Sequence, residues 1–227
     1  RFRRSKNPTA DYNGVTSHLS SYLEGVIVVF EIILLVGFAF PIWADFKNEL
    51  PSSKDSIEVR IVAQQFAWNI HYPGADGKFG LTRVELVDEE SNPIGLDREG
   101  FGVDDFWTVN QLHLPVDKKA LLYITSKDVI HGFALNEMRI KQDAIPGLMI
   151  PIYFTPNLTS ADFLEKIKGT AREGMGYEIS CAQLCGNSHY RMRGFLTVET
   201  EEEFQAWLDE QAEEIEEDED DWDDEDW

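Results

Sequence analysis

From Leu23 to Ala44 the chain reads Leu-Glu-Gly-Val-Ile-Val-Val-Phe-Glu-Ile-Ile-Leu-Leu-Val-Gly-Phe-Ala-Phe-Pro-Ile-Trp-Ala, with only two charged residues. A run of that kind supplies about the 20 residues that a helix needs to cross hydrocarbon. It divides the chain into a segment 1–22, a membrane helix 23–44, a linker 45–56 and a large remainder. Arg1, Arg3, Arg4 and Lys6 precede the run, which puts its N-terminal end in the cytoplasm and the remainder outside. Trp43 suits the opposite interface. A secretory signal shares the basic start, but this run is long and no small-residue cleavage site follows it. Glu24 and Glu31 are costly in lipid and should face protein partners, Glu31 a polar group on a neighbouring helix.

After Asp45 the pattern changes to short β-branched and aromatic runs: 57–72, 81–87, 120–125, 129–135, 148–155, 177–181 and 194–198. Turn signals such as Pro73-Gly-Ala-Asp-Gly77 and Pro146-Gly147 separate them. Many short strands without long helices between them predict a β-sandwich or barrel. Residues 88–109, rich in Asp, Glu, Gly and Asn, read as an inserted surface loop. Thr200-Glu-Glu-Glu203 reads as a capping box, followed by Phe204, Trp207, Leu208 and Ala212 at helical spacing. That predicts a terminal helix over 200–215. An acidic run over 216–227 follows that cannot build a core and is expected to be disordered. Residues 199–227 hold 18 Asp and Glu and no Lys or Arg, so of the net charge of −22 only −4 belongs to the rest. That sign excludes nucleic acid as a partner. It would steer a lysine-rich protein toward the tail at low salt.

The chemistry lies in Cys181-Ala-Gln-Leu-Cys185-Gly-Asn-Ser-His189-Tyr-Arg-Met192, a C-x3-C-x3-H-x2-M loop holding the only two cysteines in the chain. Two thiols, an imidazole and a thioether are soft ligands of the kind copper selects. A structural disulfide would leave His189 and Met192 without a role. Zinc wants four Cys or His ligands, and Met is not one of them. Inert buried thiols are the remaining bland reading. A second imidazole is expected elsewhere, from His18, His71, His113 or His131. His131 stands in an apolar strand-like stretch and is the favoured candidate, with His113 competing.

The loop, with Asp128-Val-Ile-His131, Lys141-Gln-Asp-Ala-Ile-Pro-Gly147 and the aromatic segment Gln64-Gln-Phe-Ala-Trp-Asn-Ile-His-Tyr72, resembles subunit II of haem–copper cytochrome c oxidases. The motifs run in the family's order over about residues 20–215. The resemblance implies an all-β, cupredoxin-like Greek-key domain over 57–199, with an N-terminal transmembrane helix and a short C-terminal helix. It implies a binuclear copper centre, CuA. Cys181 and Cys185 would bridge the metals; His131 and His189 would be terminal ligands; Met192 and the Gln183 carbonyl would be weak ones. Electrons would come from cytochrome c or an equivalent donor and pass to haem in subunit I, where oxygen is reduced. The implied location is the inner (plasma) membrane, with the copper domain on its periplasmic side.

Three positions depart from the family or carry a further role. Gln183 stands where the family commonly has a Glu that helps bind magnesium at the subunit I interface, and an amide is a weaker ligand for a hard cation. Phe66 falls at the family's exposed Trp, where electrons enter, with Trp68 matching the second aromatic. Glu24 matches a carboxylate at the mouth of a proton channel. Family members usually have two membrane helices; this sequence shows one. It has no C-x-x-C-H, so no fused cytochrome c is expected. The runner-up is a membrane-anchored copper-delivery or thiol-redox protein on a thioredoxin-like fold, which would show βαβ alternation. Nitrous oxide reductase shares the loop but needs a large second domain, and a quinol oxidase subunit would lack the cysteines.

Overall fold

The computed structural model describes residues 3–6, 8, 9, 12 and 17–223, with side chains described to residue 215. Part of the segment 1–22, Arg1 included, lies outside the described residues, as do residues 224–227 of the acidic run. The chain forms two compact units, Arg1–Glu49 and Leu50–Trp227.

Among its described residues the first unit holds one helix, α1 (Leu19–Asn48), with a single π turn over Leu35–Ala39. The turn has a local cause. Pro41 lacks an N–H, and its ring crowds the carbonyl four residues back, at Gly37; a wider turn there takes up the misfit. The helix runs past the expected 23–44 at both ends. Backbone hydrogen bonding continues into polar residues where the apolar run does not. No residue in its α-helical segments or its π turn is buried, so this apolar surface requires lipid or protein around it.

The second unit is a sandwich of two five-stranded sheets. The strands are β1 (Ser56–Gln64), β2 (Ala67–Tyr72), β3 (Phe106–Val109), β4 (Gln111–Pro115), β5 (Lys119–Ser126), β6 (His131–Leu135), β7 (Ile140–Ala144), β8 (Ile150–Phe154), β9 (Tyr177–Cys181) and β10 (Arg193–Glu199). One sheet has the order β3-β2-β1-β5-β8 and the other β4-β10-β9-β6-β7. The β1–β5 and β10–β4 pairs are parallel; the other named pairs are antiparallel. No βαβ alternation of a thioredoxin-like fold appears among them.

Alternation explains the core. In β1, Val59, Ile61 and Ala63 point inward; in β10, Gly194, Leu196 and Val198 do so, while Arg193 and Phe195 face outward. They meet Ile70, Leu112, Leu114, Phe133, Leu135 and Ile179 in one cluster. Each fully buried aliphatic side chain of this kind contributes about 1.5–3 kcal/mol relative to exposure. The chain changes sheets between β3 and β4 at Asn110. Its φ of +61 is one that Asn tolerates better than most residues. Asn110 holds both sheets. Its Oδ1 accepts from Trp68 N at 2.9 Å, and its carbonyl accepts from Phe195 N at 2.7 Å.

Several sequence expectations are corrected. The run 57–72 is two strands, broken at Gln65 and Phe66. The run 81–87 is not a strand; it holds a short 3-10 turn at Val84–Leu86, and Leu81 and Val84 are exposed. The expected insertion 88–109 ends sooner, because 106–109 pairs with β2 as β3. Its Ile94 and Leu96, with Leu121, are buried outside the main cluster, on the far face of the first sheet. That covering explains why Asn69 and His71 in β2 are buried as well. Strands β4 and β7 and a short helix α2 (Ser160–Lys166) went unpredicted. Pro115 masks the first, and the polar run Lys141-Gln-Asp143 masks the second. The terminal helix, α3 (Glu201–Asp223), runs past the expected end at 215 into the expected disordered run, since Ala212 to Glu217 are mostly good helix formers.

Candidate metal centre

Sheet register brings the centre together. Strands β6 and β9 are antiparallel neighbours with Phe133 opposite Cys181. His131, two residues earlier in β6, is therefore on the same face beside the loop that leaves β9. Gly132 makes the approach close: Ala182 N donates to its carbonyl at 2.8 Å, and a Cβ there would meet the Ala182 backbone at 3.0 Å. The loop returns into β10 just after Met192, whose carbonyl accepts from Cys181 N at 3.3 Å.

The ligand atoms converge. The Cys181 and Cys185 sulfurs are 3.7 Å apart, and both residues are free thiols. His131 Nδ1 lies 3.9 Å from Cys181 Sγ, and His189 Nδ1 lies 3.6 Å from Cys185 Sγ. Met192 Sδ is 3.7 Å from Cys185 Sγ, and the Gln183 carbonyl is 3.1 Å from Cys181 Sγ. The ligand atoms of His131, Cys181 and Cys185 all lie within 4.8 Å of one another. Each imidazole thus presents Nδ1 to a different thiol. A soft donor set of thiols, imidazoles and a thioether fits copper.

Surrounding groups fix these ligands. His131 is fully buried, and its Nε2 meets Asp128 Oδ1 at 2.8 Å. That is the usual second bond of a metal-binding histidine, fixing tautomer and ring orientation. Burial raises the Asp128 carboxyl, but bonds from His131, Gln65 N and Val129 N outweigh it and hold it below the usual range. Burial, then the neighbouring Cys181 thiol, pushes the Cys185 thiol up to about 11. A metal bound there would have to displace the thiol proton.

The other two histidines of the sandwich are engaged elsewhere. His113 stacks on Trp207 at 4.2 Å and meets Glu199 at 3.1 Å. His71 is buried against Asp105 at 2.6 Å, and His18 precedes α1. Trp68 is fully buried, its ring edge-on to His131 at 6.1 Å and to Phe133 at 5.5 Å. Phe66 is half-buried at the tip between β1 and β2. The Gln183 side-chain amide donates to both Asp143 oxygens, at 3.1 and 3.2 Å. A neutral amide held this way is a weaker ligand for a hard cation than a carboxylate. Glu24 is exposed in the first turns of α1. Sequence reasoning missed Gln65, which bonds both Asp128 and the Cys185 carbonyl. Asp128, three residues before His131, gives no sign in the sequence of its bond to that ring.

Residues 57–199 match the family model for the periplasmic domain of cytochrome C oxidase subunit II. The chain is 34% identical over 214 residues to the alternative cytochrome c oxidase subunit 2 of Bradyrhizobium diazoefficiens, covering 93% of this chain and 70% of that one. It is 27% identical over 207 residues to cytochrome c oxidase subunit 2 of Cereibacter sphaeroides, covering 84% of this chain and 61% of that one. A crystal structure of the periplasmic domain of subunit II of cytochrome oxidase of Bradyrhizobium japonicum aligns with a TM-score of 0.49 at 25% identity, over 74% of this chain and 99% of that one. The chain belongs to the cytochrome c oxidase subunit II family.

Proposed function

We propose that this chain is the electron-accepting subunit of a respiratory cytochrome c oxidase, taking single electrons from cytochrome c or an equivalent carrier at a CuA centre. The observation that carries this reading is the thiol pair at 3.7 Å with one imidazole Nδ1 beside each sulfur. Cys181, Cys185, His131 and His189 would hold the copper, with Met192 and the Gln183 carbonyl as weaker ligands. When bound, such a copper pair supplies a one-electron store whose coordination changes little between redox states.

The chain's own part is positioning and exclusion of water. Asp128 fixes the His131 ring. Buried Trp68 and Phe133 wall the His131 side, and buried Met192 closes the other. Electrons would enter at Phe66, the half-exposed ring, or at Trp68, whose ring stands edge-on to His131 at 6.1 Å. Electrons would leave to haem in subunit I, where oxygen reduction belongs. Glu24 would stand at a proton-channel mouth shared with that subunit. The bare apolar helix α1 supports anchorage in the inner membrane with other oxidase subunits, the sandwich lying on the periplasmic side.

The test is the copper content of the full chain in detergent, loaded with copper and freed of excess. Two coppers per chain, falling to one or none in Cys185→Ser, is the expected result. A Cys185→Ser chain with undiminished copper and an unchanged spectrum would sink the assignment.

A further inference from the structure

Gln65 lies outside both strands, exposed in the tight turn between β1 and β2. Nothing about core packing requires a particular residue there. Yet it makes two short bonds to the metal centre from opposite directions. Its backbone N–H donates to Asp128 Oδ2 at 2.6 Å, and the other oxygen of that carboxylate meets His131 Nε2 at 2.8 Å. Its side-chain Nε2 donates to the Cys185 carbonyl at 2.5 Å. Gly186, the next residue, is shaped to receive it. Gly186 has φ +140, and a Cβ there would meet Gln65 Nε2 at 2.5 Å and the Phe66 ring at 3.1 Å.

We propose that Gln65 is a positioning residue that clamps the two halves of the centre, the His131 side through Asp128 and the thiol loop through the Cys185 carbonyl. The inference rests on the copper reading for its redox consequence, but the clamp itself is a property of the metal-free chain. The loop carries few other backbone anchors near Cys185; the nearest are Ala182 N to Gly132 O at 2.8 Å and His189 N to Gly186 O at 3.1 Å. Losing the amide frees the Cys185 carbonyl and with it the direction of the Cys185 sulfur.

The backbone arm survives any substitution but proline, so side-chain variants isolate the second arm. In the full chain in detergent, Gln65→Ala should fold and load copper fully but release it to a chelator about tenfold faster, the low end of losses for residues that hold metal ligands in place. Its reduction potential should move as well. Gln65→Glu keeps shape but cannot donate, and should behave like Gln65→Ala; Gln65→Lys restores a donor and should recover part of the loss. In the metal-free protein, Gln65→Ala should speed hydrogen exchange at the His189 amide. Wild-type release rate, potential and exchange in Gln65→Ala would overturn the clamp. A fall in melting temperature alone, with none of those three changed, would overturn it too. A wild-type chain that takes up no copper pair would count against the proposed function, while the metal-free exchange still decides the clamp.

Discussion

At the scale of single residues, Met192 offers the cleanest separation of ligand from packing. Its side chain is buried, with Sδ 3.7 Å from Cys185 Sγ. Met192→Leu conserves volume and usually costs under about 1.5 kcal/mol. The variant should therefore keep both coppers while its potential shifts, which redox titration against an optical band would read. His71 sets a pH dependence. Burial lowers its pKa below the ordinary 6.5 against the opposing bond from Asp105. Below about pH 6.5 the unfolded chain takes a proton that the folded chain refuses, so stability falls as pH falls from there toward the folded value. Urea unfolding at pH 7, 6 and 5 should show that loss, and His71→Asn should reduce the slope. The proposed ligands stand out in the sequence because five of the six fall within twelve residues. The residues that orient them stand out less: Gln65 reaches partners 63 and 120 positions away, and only sheet pairing brings those together.

Elements were legible where burial is one-sided. Strand β10 alternates cleanly and could be read; β2, buried on both faces, merged with β1 into one run. Leu81–Val87 is the reverse case, apolar residues that look like a strand but pair with no sheet, because the segment lies in the loop covering the first sheet. The helix α3 was readable from its capping box, which the structure forms: Thr200 N donates to Glu203 Oε2 at 3.0 Å, and Glu203 N to Thr200 Oγ1 at 3.3 Å. Its anchor is Trp207, stacked on His113 at 4.2 Å and edge-on to Tyr72 at 5.1 Å and Phe106 at 5.5 Å. Trp207 is half-buried, so Trp207→Ala should cost about 2 kcal/mol, below the range for fully buried aromatics. Denaturant unfolding of the full chain in detergent checks it; a change within 0.5 kcal/mol, as for an ordinary surface site, would show that α3 is not held there.

For the whole molecule, the sequence separated an apolar helix, a β domain and an acidic end, because hydropathy and charge vary in blocks along the chain. Sheet order was hidden, since the parallel β1–β5 and β4–β10 pairs join segments with no local signal. The charge separation makes a kinetic prediction. Electron transfer from a lysine-rich cytochrome should slow as salt rises, and removal of 216–227 should flatten that dependence, measured by stopped flow across ionic strength. Electron paramagnetic resonance of the copper-loaded full chain distinguishes the proposed shared copper pair from a single copper. One unpaired electron divided equally over two copper nuclei gives a seven-line hyperfine pattern, the predicted result. A four-line pattern from a single copper, or no copper signal with a readily reduced disulfide, would contradict it.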